Sequence, residues 1–257
     1  AMAVGSQSVA LKQPALQSTF ETVRKINPDG VIAANIGANH SAVDAQKAID
    51  MIDANLLEVH INAAQEIVMP EGDRQFNWLT NIKEIVQSVS VPVIVKEVGF
   101  GMTKQTMQKL AAIGVQSINV AGHGGTNFVK IENERRHDKV YGYLQDYGIT
   151  TVESLLESQA LQNKLHILAC GGIRTPLDMT KSFALGAEMV GIAGKILHSL
   201  LREGEEQTIQ MITDWQEQLA DLLTLQGASS IKQLNCQNLV FDAALRDYCG
   251  QRKIEIN

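Results

Sequence analysis

Seven short apolar runs, each followed by a stretch with helical spacing of apolar residues, leave this chain few ways to fold. They are MAVGSQ (2–7), GVIAANIG (30–37), LLEVHINA (56–63), VPVIVKEVG (91–99), SINVAG (117–122), HILACGG (166–172) and MVGIAG (189–194). Amphipathic stretches lie between them at 41–54, 76–89, 103–113, 151–163 and 176–185. Strands alternating with helices make βαβ units, and such units pair their strands in parallel. Thr175, Pro176 and Asp178 mark a helix start: a hydroxyl cap, a proline in the first turn and a carboxylate at the positive dipole end. Residues 205–226 continue as a long helix, and 230–252 reads as a weaker one.

The pattern predicts an α/β fold, a TIM (β/α)8 barrel lacking its first βα unit, with extra C-terminal helices. A closed barrel of this kind needs eight strands and seven are visible. The expectation is a natural chain longer at its N-terminus by one βα unit and a basic arm; an open seven-stranded sheet is the competing arrangement. With no linker or charge block in its 257 residues, the chain reads as one catalytic domain over 1–257. A net charge of −6 argues against a nucleic-acid surface, so any anionic ligand must be held locally. No run approaches the roughly 18 apolar residues that a membrane span requires. Three cysteines without metal-ligand spacing, Cys170, Cys236 and Cys249, suit a reducing cytoplasm and read as core thiols.

Chemistry concentrates at the strand ends. ILACGGIRTPLD (167–178) and MVGIAGKIL (189–197) each run from a strand through a small-residue turn into a helix. Backbone N–H groups at such turns approach an anion closely, and two side by side make a phosphate cup. The last two βα units of a barrel supply such a cup. In LEVHINAAQE a spacing of two puts His60 and Asn62 on one strand face, with Gln65 and Glu66 just beyond. His60, Asn62 and Gln65 suit polar recognition, and one carboxylate, Glu66, suffices for magnesium if a diphosphate fills the other positions. The alternative is a strand-end histidine satisfied by backbone and a solvated glutamate.

Lys96 ends a strand of branched apolar residues, where it needs an anion: a flavin N1–C2=O edge, a phosphate, or a carboxylate such as Glu97 or another barrel acid. AGHGGTNF (121–128) is a glycine-rich loop in which Thr126 can donate to a phosphate or ring carbonyl, or is simply a flexible turn. Arg135 and Arg136 in ENERRH offer charge-assisted phosphate contacts or line a solvated loop edge. The stretches 62–76 and 121–150 are too long for plain connectors and fall where barrel active sites form.

HINAAQE, VKEVGFG, AGHGGTNF followed by ENERR, CGGIRTPLD and GIAGKIL, in this order and spacing, closely resemble type 2 isopentenyl diphosphate isomerase. The resemblance covers about residues 2–200 well and the C-terminal helices loosely. It implies an FMN-binding TIM barrel that interconverts isopentenyl and dimethylallyl diphosphates. It also implies flavin contacts at Asn35, Lys96, Ala121 (often serine in the family), Thr126, Gly171, Gly172, Arg174, Ala193 and Gly194. Gln65 falls on the family's substrate glutamine, Glu66 on its magnesium ligand, and His60 and Asn62 on its diphosphate-side pair. Mg2+, NADPH as flavin reductant and a homo-oligomer, tetramer or octamer, follow from the same resemblance. The family's N-terminal basic segment and first strand have no counterpart here.

The implied reaction is redox-neutral, and no ordinary side chain in the set is acidic enough to protonate an unactivated alkene, so the resemblance assigns the acid/base role to reduced FMN. Competing readings are an FMN-dependent 2-hydroxy-acid oxidase, an inosinate-dehydrogenase type barrel, whose cysteine nucleophile has no match in Cys170, and a non-catalytic binding barrel.

Overall fold

A computed structural model describes residues 1–255 and resolves them into two compact units. Its strands are β1 (Met2–Ala3), β2 (Ile32–Gly37), β3 (Leu56–His60), β4 (Val93–Lys96), β5 (Ser117–Asn119), β6 (His166–Cys170) and β7 (Met189–Gly191). Neighbours in the sheet follow sequence order from β1 to β7. Sequential strands in parallel register with a helix between them are the α/β TIM-barrel arrangement expected. Each expected apolar run holds its strand, and every strand but β2 stops short of the end of its run, where the last residues turn into the loops that carry polar groups.

The first unit comprises residues 1–98, 105–118 and 129–144. Its helices are α1 (Ser8–Lys12), α2 (Gln17–Ile26), α3 (Ala42–Met51), α4 (Ala63–Val68), α5 (Trp78–Ser88), α6 (Lys104–Ala112) and α7 (Phe128–Arg135). β2, IAANIG, is buried along its whole length, as a parallel strand covered on both faces must be. It pairs with β3 from Ala33 opposite Leu56 to Gly37 opposite His60, and β3 pairs with β4 as far as His60 opposite Lys96. That register lines up Gly37, His60 and Lys96 at the C-terminal ends of three neighbouring strands, with Asn35 two residues before the end of β2. A reciprocal cap between Ser41 and Asp44 starts α3. The long stretch after β3 is no plain loop, since it folds α4.

The second unit comprises residues 99–104, 119–128 and those from Gln145 onward. It holds α8 (Thr151–Ser158), α9 (Pro176–Ala184), α10 (Gly194–Glu203), α11 (Glu205–Leu225) and α12 (Ala243–Arg252). The Thr175, Pro176 and Asp178 start is borne out: Thr175 accepts from the Asp178 N–H, and Asp178 returns the bond. The weak helix expected over 230–252 is instead two single 3-10 turns, Ile231–Gln233 and Cys236–Asn238, followed by α12. Asn235 and Asp242 there turn their side chains onto backbone N–H groups, which breaks one helix into pieces.

α12 is tied to α8 through Glu157, whose side chain is 2% exposed. Its carboxylate accepts from Arg252 Nε at 2.6 Å, Tyr248 Oη at 3.0 Å and the Lys104 backbone N–H at 2.8 Å. Burial alone would raise this carboxyl's pKa, but the three donors together hold it below the ordinary value. Cys249 of α12 is a buried free thiol. Among the described residues no helix is long and apolar enough to cross a membrane.

Candidate functional site

In the first unit the polar residues after β3 form one hydrogen-bonded set. The strand ends at His60 and the chain turns at once into α4, so Asn62 does not share a strand face with His60 as a spacing of two predicted. Asn62 is instead the residue before the helix, and Gln65 and Glu66 follow at helical spacing on the same side. Its Nδ2 donates to Gln65 Oε1 at 3.2 Å and to Glu66 Oε1 at 3.0 Å. The backbone N–H of Asp73 donates to the other Glu66 oxygen at 2.7 Å.

Glu66 is thus held by neutral donors and has no cationic partner among the described residues. Carboxylate oxygens of this kind suit a hard divalent cation. No three His, Cys, Asp or Glu side chains among the described residues gather to hold a metal, so an ion at Glu66 would complete its shell with water and substrate oxygens.

His60 is fixed by Asn35. The Nδ2 of Asn35 donates to the Val4 carbonyl at 3.0 Å, which turns Oδ1 toward His60 Nδ1 at 2.8 Å. Nδ1 therefore carries the proton and Nε2 is left as an acceptor. Burial first, then the charges of Lys96 and His40, push the His60 pKa down to about 4. As pH falls below the ordinary histidine value, the unfolded chain takes up a proton that the folded chain refuses until about pH 4, so His60 costs stability across that window. NMR titration should find this ring neutral from pH 8 to pH 5; a midpoint near 6.5 overturns the assignment.

Lys96 meets Glu58 rather than Glu97, Nζ to Oε2 at 3.0 Å, with both side chains largely buried. The second barrel-acid alternative for Lys96 is thus realised. Arg135 bonds Glu71 and Glu132, and Arg136 lies bidentate on Asp138 with both contacts at 2.7 Å. Both guanidinium groups are already matched by carboxylates.

The sequence reading missed Glu132. It is buried in α7, accepts from Gln65 Nε2 at 3.1 Å and pairs with Arg135. A glutamate one helical turn before an arginine looks like a surface pair, and only the tertiary contact with Gln65 marks it.

In the second unit, loops 121–126 and 171–174 press backbone against backbone. Gly171 and Gly172 have φ of +95° and +79°, and a Cβ on Gly171 would stand 2.2 Å from the Gly122 carbonyl oxygen. Ala121 is itself left-handed at φ +29°. Arg174 Nη2 donates to the Gly124 carbonyl at 2.7 Å, and its backbone N–H and that of Thr175 both go to Asp178 Oδ2 at 3.0 Å. Asp178 therefore occupies the start of α9. The start of α10 differs: Ala193 makes no side-chain cap, and the Thr126 hydroxyl lies 3.5 Å from where a Cβ on Gly194 would stand.

Of the two turns expected to form an anion cup, the Ala193–Gly194 turn keeps its helix N-terminus open. Two buried polar atoms of the same unit, Asn119 Oδ1 and His123 Nε2, have no hydrogen-bond partner. An open helix start, a hydroxyl beside a glycine and unpartnered polar atoms in one unit fit a phosphate-bearing cofactor with polar ring edges.

The chain matches the FMN-dependent dehydrogenase family over residues 9–240. It is 53% identical over 255 residues to isopentenyl-diphosphate delta-isomerase of Latilactobacillus sakei subsp. sakei, covering 99% of this chain and 73% of that protein. The protein of the same name from Listeria monocytogenes serotype 4b is 49% identical over 257 residues, 99% of this chain and 72% of that one. Among solved structures, a flavocytochrome b2 with sulfite bound superposes with a TM-score of 0.64 at 18% identity, over 88% of this chain and 62% of that chain. An (S)-mandelate dehydrogenase gives 0.63 at 18% identity, over 83% and 66%. The chain spans less than two thirds of those two solved chains, and the likeness to them concerns the fold.

Proposed function

Because the chain belongs to the FMN-dependent isopentenyl-diphosphate delta-isomerases, type 2, we propose that it interconverts isopentenyl and dimethylallyl diphosphates, with FMN, Mg2+ and NADPH as flavin reductant. The observation that carries this reading is the set Asn62, Gln65, Glu66 and Glu132. An amide is held at fixed orientation between an asparagine and a buried glutamate, beside a carboxylate that no side-chain cation neutralises.

Reduced FMN, when bound, supplies the acid and base that an unactivated alkene requires. The protein's own residues do the rest. Thr126, the Gly171–Gly172 turn, Arg174 and the open start of α10 at Ala193–Gly194 hold the cofactor phosphate, with Ala121 in the adjoining loop. Asn35 and Lys96 would meet the ring.

Glu66 would hold a Mg2+ ion that neutralises the substrate diphosphate, and Asn62 fixes the direction of that carboxylate. His60 presents a neutral Nε2 as an acceptor, which suits a phosphate hydroxyl or a metal-bound water rather than a bare phosphate oxygen. Gln65, with its Nε2 on Glu132 and its Oε1 accepting from Asn62, is held in one orientation and would position the alkene end. The same reading makes the protein a cytoplasmic homo-oligomer.

The test is stoichiometry. One anaerobic reduction by NADPH or dithionite should support many turnovers of isopentenyl diphosphate, and oxidised protein should be inactive. Consumption of one reducing equivalent per product, or full activity of the oxidised form, replaces this reading with that of a flavin-dependent oxidoreductase.

A further inference from the structure

The segment after α4 is arranged around Glu66 in a way that its role as a ligand does not by itself require. Gly72, Asp73 and Arg74 each do one thing. At Gly72 a Cβ would stand 1.9 Å from the Glu66 carbonyl oxygen, so only glycine lets the chain pass this close. At Asp73 the backbone N–H grips Glu66 Oε2. Arg74 then ties the loop to the helix. Its Nη1 donates to the carbonyls of Glu66, Gly72 and Asp73, and its Nη2 to those of Ile67 and Met69 at 2.8 and 3.3 Å.

The choice of acceptors is informative. An arginine this close to a glutamate ordinarily lies on the carboxylate, where a bidentate ion pair forms. Arg74 instead bonds the main-chain oxygen of Glu66, and among the described residues it makes no ion pair. Its charge goes to the Glu66 and Ile67 carbonyls at the end of α4 and to the Met69, Gly72 and Asp73 carbonyls of the segment beyond. No side-chain cation pairs with the carboxylate among the described residues, and both its oxygens are aimed, one by Asn62 and one by Asp73. A loop that places a permanent cation beside a glutamate, yet turns it to the backbone, leaves the carboxylate unpaired and directed.

We propose that Arg74 is a positioning residue for a divalent cation at Glu66: it locks the 66–74 loop so that the carboxylate stays aimed and unneutralised. The proposal rests on the reading of Glu66 as the metal ligand, and the experiment separates the two. Mn2+ binding is followed by the loss of the free-ion electron paramagnetic resonance signal, with inorganic diphosphate present, for wild type, Glu66→Gln, Arg74→Met and Arg74→Lys. Outer-shell partners of metal ligands are worth about 10–100-fold in affinity. Both Arg74 variants should weaken Mn2+ by about 10-fold, because lysine keeps the charge but cannot span five carbonyls.

If Glu66→Gln binds Mn2+ as wild type does, the metal reading itself fails. If Glu66→Gln loses the ion while both Arg74 variants bind within twofold of wild type, Glu66 stands and the positioning role is overturned. Should Arg74→Met fail to fold, Arg74→Lys decides alone. Amide exchange over 63–75 gives a second readout: faster exchange in the Arg74 variants supports the lock, and unchanged exchange removes it.

Discussion

Glu66→Gln is expected to lower kcat/KM for isopentenyl diphosphate by about 100-fold or more at saturating Mg2+, since charge stabilisation by a bound ion is worth several kcal/mol. The substitution keeps the shape and removes the charge. It also places an NH2 group against a donor, because the native oxygens accept from Asn62 Nδ2 and from the Asp73 N–H. The two effects act together on the ion. Flavin content should stay near wild type, since the residues proposed to hold the flavin phosphate belong to the other compact unit. Steady-state rates across a Mg2+ titration, with flavin absorbance measured on the same preparations, check both halves. Wild-type turnover at low Mg2+ rules out Glu66 as the ligand.

Gly171→Ala should be strongly damaging to the second unit. The new Cβ would meet the Gly122 carbonyl oxygen at 2.2 Å and the Gly122 nitrogen and Thr151 Oγ1 at 2.9 Å. Two of those three atoms are backbone and cannot swing aside. The residue must also hold φ at +95°, which an L side chain resists by about 1–2 kcal/mol, and overpacking adds about 1–3 kcal/mol. For a chain of this size that total lowers Tm by about 10 °C, and flavin should be lost with the displaced loop. Gly5→Ala, where nothing lies within 4 Å, is the control and should change stability by less than about 0.5 kcal/mol. Thermal melts with and without FMN measure both variants, and a Gly171→Ala protein that melts like the control and keeps its flavin refutes the expectation.

What the sequence made legible follows from what is local. The seven strands and their order are written as apolar runs, and the start of α9 as Thr175, Pro176 and Asp178. The error at Asn62 has a local cause too: HINA continues the alternation of β3, and nothing in four residues says that the strand stops at His60. α4 is only 6 residues long, too short for a periodic signal, and lies hidden in an apparent loop, as α7 does in the 121–150 stretch.

The pairings were the least legible. Lys96 needed an acid, but Glu58 as that acid depends on the register of β3 against β4. Glu132 reaches Gln65 across 67 residues of chain, and Asp178 silently occupies the N–H groups that the GGIR turn was expected to offer an anion. Motif reading finds the residues that carry chemistry; it cannot say which of them are already spoken for.

The buried clasp between α8 and α12 sets an order of events during synthesis. Arg252 is made 95 residues after Glu157, so at about 5–20 residues per second the carboxylate waits about 5–20 s for its cation. Until then the nascent second unit carries an acid it cannot bury, which holds the α8 region open to water. The first unit has no such debt, because its segments are all translated by residue 144. It can close while the other half is still emerging, and the aggregation-prone interval of this chain belongs to the half proposed to hold the flavin phosphate.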